Sequence, residues 1–363
     1  MSFRIFIVLA SLLLTALANA AGNPIVIGQA IDLSGPNGSI GRDYVAGITT
    51  YFDSINAKGG LAGRKIAYVV RDDRGEAAES ARIVSGLIRQ DHADYLMGGI
   101  GAEAAIATLN TPAFAESRHV LFAPLADSAS APRARVLFWR PSIEREFLFI
   151  LSYFDKLGIK QVGIALQDTP QHARAYQFLT AEIKKRGMTL TGTAKIGSGT
   201  VLDAEAQRLA GAKLVIAIAD TVGSAQFLKV FRKRDPSTFV AGTSLINLET
   251  LGEIAGTKAT EWTVFSQVVP NPGSAVSQLQ SEHIDMMKKF RDEPVSSVTL
   301  EGFAVAKTLV KIIGNGPGSL QAMASGKTSI DLGGMMIVSP DSGQNMSRYV
   351  DIALFRRGGG LMF

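Results

Sequence analysis

"INAKGGLAGRKIAYVVRDDRGEAAESARIVSGLIRQ", residues 55–90, holds a helix end, a tight turn, a strand and a second helix in one short stretch. Gly59-Gly60 closes the first helix, where left-handed backbone strains glycine little. Leu61-Ala62-Gly63-Arg64 turns into "KIAYVVRD" (65–72), a β-type run, and "EAAESARIVSGLIRQ" (76–90) repeats apolar residues at helical spacing. Asp72 and Asp73 stand where the strand gives way to the helix. A carboxylate pair is compatible with acid–base chemistry. At a strand-to-helix turn it also suits the capping of backbone amides, and no nucleophile or metal-ligand pattern stands beside it.

The same alternation continues on both sides. Upstream, "PIVIGQAI" (24–31) is a strand and 41–57 an amphipathic helix. Downstream come "DYLMGG", a helix over about 103–117 and "HVLFAPL" (119–125). A second series starts near 142, with helices at 144–157, 173–186 and 223–234. Its strands are 161–166, 190–196, 214–219, 238–242 and 261–269. Strands alternating with helices of this length predict βαβ units, a parallel sheet and helices on both faces. Two series predict two α/β lobes, with the helix at 297–313 and the strand at 349–355 still to be shared between them. No long Pro/Ser-rich linker separates the series, so any hinge consists of ordinary crossing strands.

The first twenty residues read as a secretory leader, with Arg4, the apolar run "IFIVLASLLLTAL" (5–17) and the small residues Ala18-Asn19-Ala20. A cut after Ala20 is expected, giving an exported, soluble mature chain. The run is short for a membrane span, which takes about 20 residues. The chain has no Cys, which excludes disulfides, thiol chemistry and a lipid-modified cysteine anchor. The formal charge of +5 includes Arg4. The basic residues are scattered, with no stripe and no aromatic interleaving, so no nucleic-acid partner is expected. His92, His119, His172 and His283 show no ligand spacing, so no metal and no cofactor is expected.

"YLMGGIGAEAAIATL" (95–109) runs from a strand through three glycines into a helix, and Gly99-x-Gly101-x-x-Ala104 fits a loose dinucleotide fingerprint. The same residues suit a tight turn, or an anion seated at a helix N-terminus.

"LSGPNGSIG" (33–41), "INAKGGLAGRKI" (55–66) and "RDDRGEAAESA" (71–81) resemble the opening of type I periplasmic binding proteins, the leucine/isoleucine/valine-binding class of ABC-transporter solute receptors. "FSQVVPNP" (265–272), "SSVTLEGFAVAKTLV" (296–310) and "DLGG" (331–334) resemble one branch of that family. The resemblance implies an α/β fold of two Rossmann-like lobes with parallel central sheets joined by a three-strand hinge. Lobe one would take 24–141 plus 269–341, and lobe two 142–268 plus 342–363. Ligand would sit in the cleft, at the C-terminal ends of the strands.

By the same resemblance the ligand loops of lobe one are "IGAEAA" (100–105) and "PLADSAS" (124–130). The hydroxyl that grips a carboxylate in the amino-acid receptors falls on Ala104, preceded by Glu103. The Thr that meets an α-amino group falls on Asp127, next to Leu125 and Ala126. The cleft Tyr falls on Ile40, and the lobe-two aromatic–Gly pair is replaced within "QDTPQHA" (167–173). These departures make standard α-amino acids poorer candidates. Asp127 would hold a cationic amine through charge-assisted hydrogen bonds. Glu103 either meets ligand or complements the helix dipole. Arg140, or Arg133, either balances ligand charge or pairs with Glu144 or Glu146. Ser34, Gln167 and His172 complete the polar candidates, and Phe138 and Trp139 form an apolar wall or core.

The expected function is capture of a small polar or amphipathic solute by hinge closure and its delivery to a membrane ABC permease. A sensory protein docking on a membrane histidine kinase or chemoreceptor is the alternative. An exported enzyme is disfavoured by the missing Cys, the scattered His and the lack of a G-x-S-x-G elbow. A monomer in the periplasm is expected.

Overall fold

The computed structural model describes residues 22–126, 135–197, 199–316, 318–326, 328–340, 345–356 and 361–363. The expected leader and its cleavage site, Asp127 and Arg133 lie outside the described residues.

The first series forms β1 (Ile25–Ile31), α1 (Gly38–Ala57), β2 (Ile66–Asp72), α2 (Ala77–Arg89), β3 (Tyr95–Met97), α3 (Ala102–Leu109), α4 (Pro112–Glu116), β4 (Leu121–Phe122) and β5 (Val136–Leu137). The helix expected over 103–117 is two helices. Thr111 caps the second, accepting from Phe114 N, and Pro112 occupies its first position, where a missing N–H costs nothing. The expected strand at 119–125 keeps only two residues in the sheet.

The second series forms α5 (Ile143–Lys156), β6 (Gln161–Gln167), α6 (Pro170–Lys185), β7 (Thr189–Ile196), α7 (Leu202–Gln207), β8 (Leu214–Ile218), α8 (Thr221–Arg234), β9 (Phe239–Gly242), α9 (Leu248–Ala255), α10 (Thr257–Thr260) and β10 (Thr263–Gln267). Then come α11 (Gln278–Phe290), α12 (Ser297–Ile313), α13 (Ser319–Ser325), the hairpin β11 (Ser329–Asp331) and β12 (Met336–Val338), and finally β13 (Asp351–Phe355) and β14 (Leu361–Met362).

The first sheet has the order β2-β1-β3-β4-β5 and every pairing in it is parallel. The second runs β14-β13-β10-β9-β8-β6-β7. Its β7-β6-β8-β9-β10 portion repeats the first sheet's order in parallel, and β13 and β14 add antiparallel strands at one edge. Both are doubly wound sheets whose strand order reverses beside the first strand of the set. Each is buried on both faces. In the first, Ile27 and Phe122 pack toward α1 and α12, while Leu96 and Leu121 join Ile83 and Leu87 of α2. In the second, Val215 and Phe265 pack with Phe227 of α8, while Ile164 and Ile216 pack with Phe154 of α5.

Helix α12 is buried from Val298 to Val310, with Glu301 and Lys307 among its buried side chains and each in an ion pair. It lies against α1 so closely that a Cβ on Gly302 would sit 2.1 Å from Tyr44 O, and one on Gly47 1.9 Å from Thr299 O. Asp72 and Asp73 cap backbone. Asp72 accepts from Leu33 N and Arg74 N, and Asp73 from Gly75 N and the Ser80 hydroxyl.

The chain passes between the sheets over 138–142, 268–277 and 339–350, and no regular strand is formed there among the described residues. The three crossings that the resemblance implies as strands are irregular among the described residues. The first and third are bound side by side: Met346 N donates to Phe138 O at 2.9 Å, Ser347 N to Trp139 O at 2.7 Å, and Asn345 Nδ2 to Arg140 O at 2.6 Å.

Candidate functional site

A cavity of about 280 Å³ lies between the two sheets. From the first sheet it takes Asn37 and Ile40 beyond β1, Ile100 to Ala102 beyond β3, and Leu125 and Ala126 beyond β4. From the second it takes His172 beyond β6, Ala217 to Asp220 at the end of β8, and Thr243 and Leu245 beyond β9. Apart from Ile143 and Phe147 of α5, these contributions come from the C-terminal ends of strands, and the points where the two strand orders reverse face each other across the cavity. Open α/β sheets seat ligands in that place.

The lobe-one wall rests on two loops joined by backbone. Gly101 N donates to Leu125 O at 3.0 Å and Leu125 N to Gly99 O at 2.9 Å. Gly101 caps α3 at φ 96°, ψ 148°, a conformation other residues adopt only with strain. The glycines of the fingerprint therefore serve the turn, and the first-turn amides of α3 open at the cavity edge.

The lobe-two wall carries the charged and titratable side chains. Asp220 caps α8, accepting from Gly223 N at 2.7 Å. Its other oxygen accepts from Gln167 Nε2 at 2.8 Å, while Asp220 N donates to Gln167 Oε1 at 2.9 Å. Gln167 thus locks the carboxylate from β6. His172 Nδ1 lies 2.9 Å from Gln167 O and 2.9 Å from Thr169 Oγ1. A carbonyl only accepts, so Nδ1 carries the proton and Nε2 is left with a lone pair. Burial lowers the pKa of the ring, opposed in part by Gln167 O and by Asp220.

The candidates named from sequence divide. Ile40, Leu125, Ala126 and His172 line the cavity. Ser34 does not; it is exposed, and its hydroxyl donates at 2.6 Å to Asp72, helping to hold that carboxyl below its usual range. Glu103 points outward from the first turn of α3, and Ala104 is buried behind that turn, so Ala102 takes the position at the cavity. Gln167 acts indirectly, through Asp220 and His172. Trp139 is core, with its indole N–H donating to Thr308 Oγ1 at 2.9 Å.

Arg140 lies on the first crossing between the sheets and is no part of the cavity lining. Its Nη2 donates to Glu301 Oε2 at 3.2 Å and to Ser244 Oγ at 2.9 Å. The expected partner Glu146 lies one step away, accepting from Ser244 N at 2.8 Å and Ser266 Oγ at 2.6 Å. Asp220, Asn37, Thr243 and Phe147 were not singled out from sequence. Asp220 had a legible signal, being a helix-capping residue directly after an apolar strand.

A family model described as periplasmic binding protein matches residues 24–351. The chain belongs to that family. Among solved structures, a substrate-binding periplasmic protein from Ralstonia solanacearum matches with TM-score 0.83 and 24% identity, over 93% of this chain and 99% of that one. The branched-chain amino acid transporter substrate binding protein LivJ from Streptococcus pneumoniae, in complex with isoleucine, matches with TM-score 0.81 and 16% identity, over 94% and 98%. At these identities the likeness speaks for the fold. An amino acid binding protein from Pseudomonas aeruginosa is 34% identical over 82 residues, which is 23% of this chain and 22% of that protein. The fold is thus that of the type I periplasmic binding proteins, a family that binds ligands.

Proposed function

We propose that the protein is the exported solute receptor of an ABC importer, working in the periplasm. It holds a small amphipathic solute in the cleft between lobe one (24–141 plus 269–341) and lobe two (142–268 plus 342–363). The observation that carries this reading is the shared cavity, lined at the reversal point of each sheet by residues of both lobes. Its volume lies at the low end of small-molecule sites, about 300–1,000 Å³, which suits a solute of amino-acid size. Ile40, Ile100, Leu125, Phe147 and Leu245 give it apolar walls with polar groups at few points.

The hinge supplies the motion. Three crossings without regular structure among their described residues connect the lobes, so a rotation is absorbed by a few residues while each sheet stays rigid. Closure then presents a joint surface to a membrane permease. No bond is made or broken in this cycle.

The test is a thermal-shift screen of the mature protein against amino acids, amines, amides, aromatic acids and short peptides. A solute at 100 times its Kd adds about 2.7 kcal/mol of stability, and Ala102→Trp, which fills the cavity from its edge, should abolish the shift. A solute that stabilises wild type and Ala102→Trp alike contradicts the cleft reading.

A further inference from the structure

Resting on that reading of the cleft, we infer that the solute meets lobe two with a cationic, proton-donating head, a primary or secondary ammonium on an apolar body, received by the Asp220 carboxylate and His172 Nε2.

Three observations carry the inference. Among the described lining residues there is one carboxylate, Asp220, and no Lys or Arg. The buried guanidinium of Arg140 is committed to Glu301 and Ser244. Among the described lining residues, closure would therefore enclose a carboxylate with no cationic side chain beside it, and a cationic ligand group would offset that cost.

The second observation is the tautomer of His172. Gln167 O fixes the proton on Nδ1, so Nε2 offers the cavity an acceptor, and the ring lines it. The third is that Gln167 orders both groups. Its backbone carbonyl sets the histidine and its side-chain amide sets the aspartate. One residue at the end of β6 thus holds two acceptors toward the same space, an arrangement that matches an ammonium, which only donates.

Lobe one offers no hydroxyl side chain among its described lining residues, only Asn37 and backbone amides. The apolar residues Ile40, Ile100 and Leu125 would hold the body of the solute.

The experiment is isothermal titration calorimetry at neutral pH with matched probes: isopentylamine, isopentanol and 4-methylpentanoate, then phenethylamine, 2-phenylethanol and 3-phenylpropanoate. At least one amine should bind tenfold or more tighter than its matched alcohol and carboxylate. Asp220→Asn keeps a helix-capping acceptor and should weaken the amine at least tenfold. His172→Phe, which keeps the bulk and removes the acceptor, should weaken the amine in the same direction. Tighter binding of a carboxylate or alcohol, no amine binding at all, or unchanged amine affinity in both variants overturns the inference. A carboxylate that binds wild type and is lost in Ala102→Trp would leave the cleft reading standing with the cationic head refuted. A probe that binds both proteins equally would refute the cleft reading itself.

Discussion

Arg140 Nε stands 3.1 Å from Glu301 Oε1, with both side chains at most 5% exposed, at the point where the first interlobe crossing passes α12. Glu146 brings a second buried carboxylate to the same network through Ser244 and Ser266. Burial raises the pKa of Glu301, Arg140 opposes that shift and Glu146 adds to it. Removing one partner leaves a buried charge unpaired, so Arg140→Ala or Glu301→Ala should each cost about 3–5 kcal/mol in urea unfolding. The double variant Arg140→Met/Glu301→Leu should recover most of that loss. A double variant that loses the sum of the two single losses would show that the two side chains act independently.

The closest helix contact predicts a second loss. Gly302→Ala places a methyl group 2.1 Å from Tyr44 O, forcing α12 from α1. Overpacking costs typically about 1–3 kcal/mol, and two rigid backbones put this site at the upper end. Gly273→Ala, whose nearest neighbour would be Asn271 Oδ1 at 3.6 Å, is the control and should melt within a degree or so of wild type.

His283 gives the protein a pH dependence. Its ring is buried between Thr299 and Phe303, and burial pushes its pKa down to about 4 from 6.5. The unfolded imidazole takes up a proton near 6.5, whereas the folded one resists until about 4. Between these values the unfolded state binds more protons, so stability falls as pH drops through the window, by about 3 kcal/mol in all. His283→Gln should flatten that slope in denaturation measured between pH 4 and 7. An unchanged slope would place the acid sensitivity in other groups.

The fold was legible because strand–helix alternation is a strong pattern, and β1, β2, β6 and α12 lie within a residue or two of where periodicity puts them. Helix α11 passed unnoticed although Ser277 and Gln280 form a capping box, because its apolar stripe is thin. In the cleft, Ile40, Leu125 and Ala126, named from the family's loop positions, and His172, named for its nearness to the cleft mouth, line the cavity. Glu103 and Ala104 come from the same loop positions and Ser34 and Arg140 from residue type, and neither says which way a side chain turns. Ser34 turns to Asp72 and Arg140 to Glu301. Asp220 escaped because it reads as a helix cap, and its second role as cavity wall appears only when the two sheets face each other.

Leucine, isoleucine and valine should give no shift in melting temperature at millimolar concentration. In amino-acid receptors of the resembling class a hydroxyl grips the carboxylate, and here Ala102 occupies the edge of the cavity. A shift of several degrees with any of the three would show that backbone amides alone suffice for that grip.

The central claim is that solute binding closes the two lobes on the shared cavity. With no native cysteine, Glu103→Cys on α3 and Val222→Cys on α8, both exposed and flanking the cavity, can be labelled with a donor and acceptor dye. Energy transfer in the labelled mature protein should rise with each solute that stabilises it, saturate at the same Kd, and stay flat in the Ala102→Trp background. Stabilising solutes that leave the transfer unchanged, or a screen in which no solute alters it, would contradict the account.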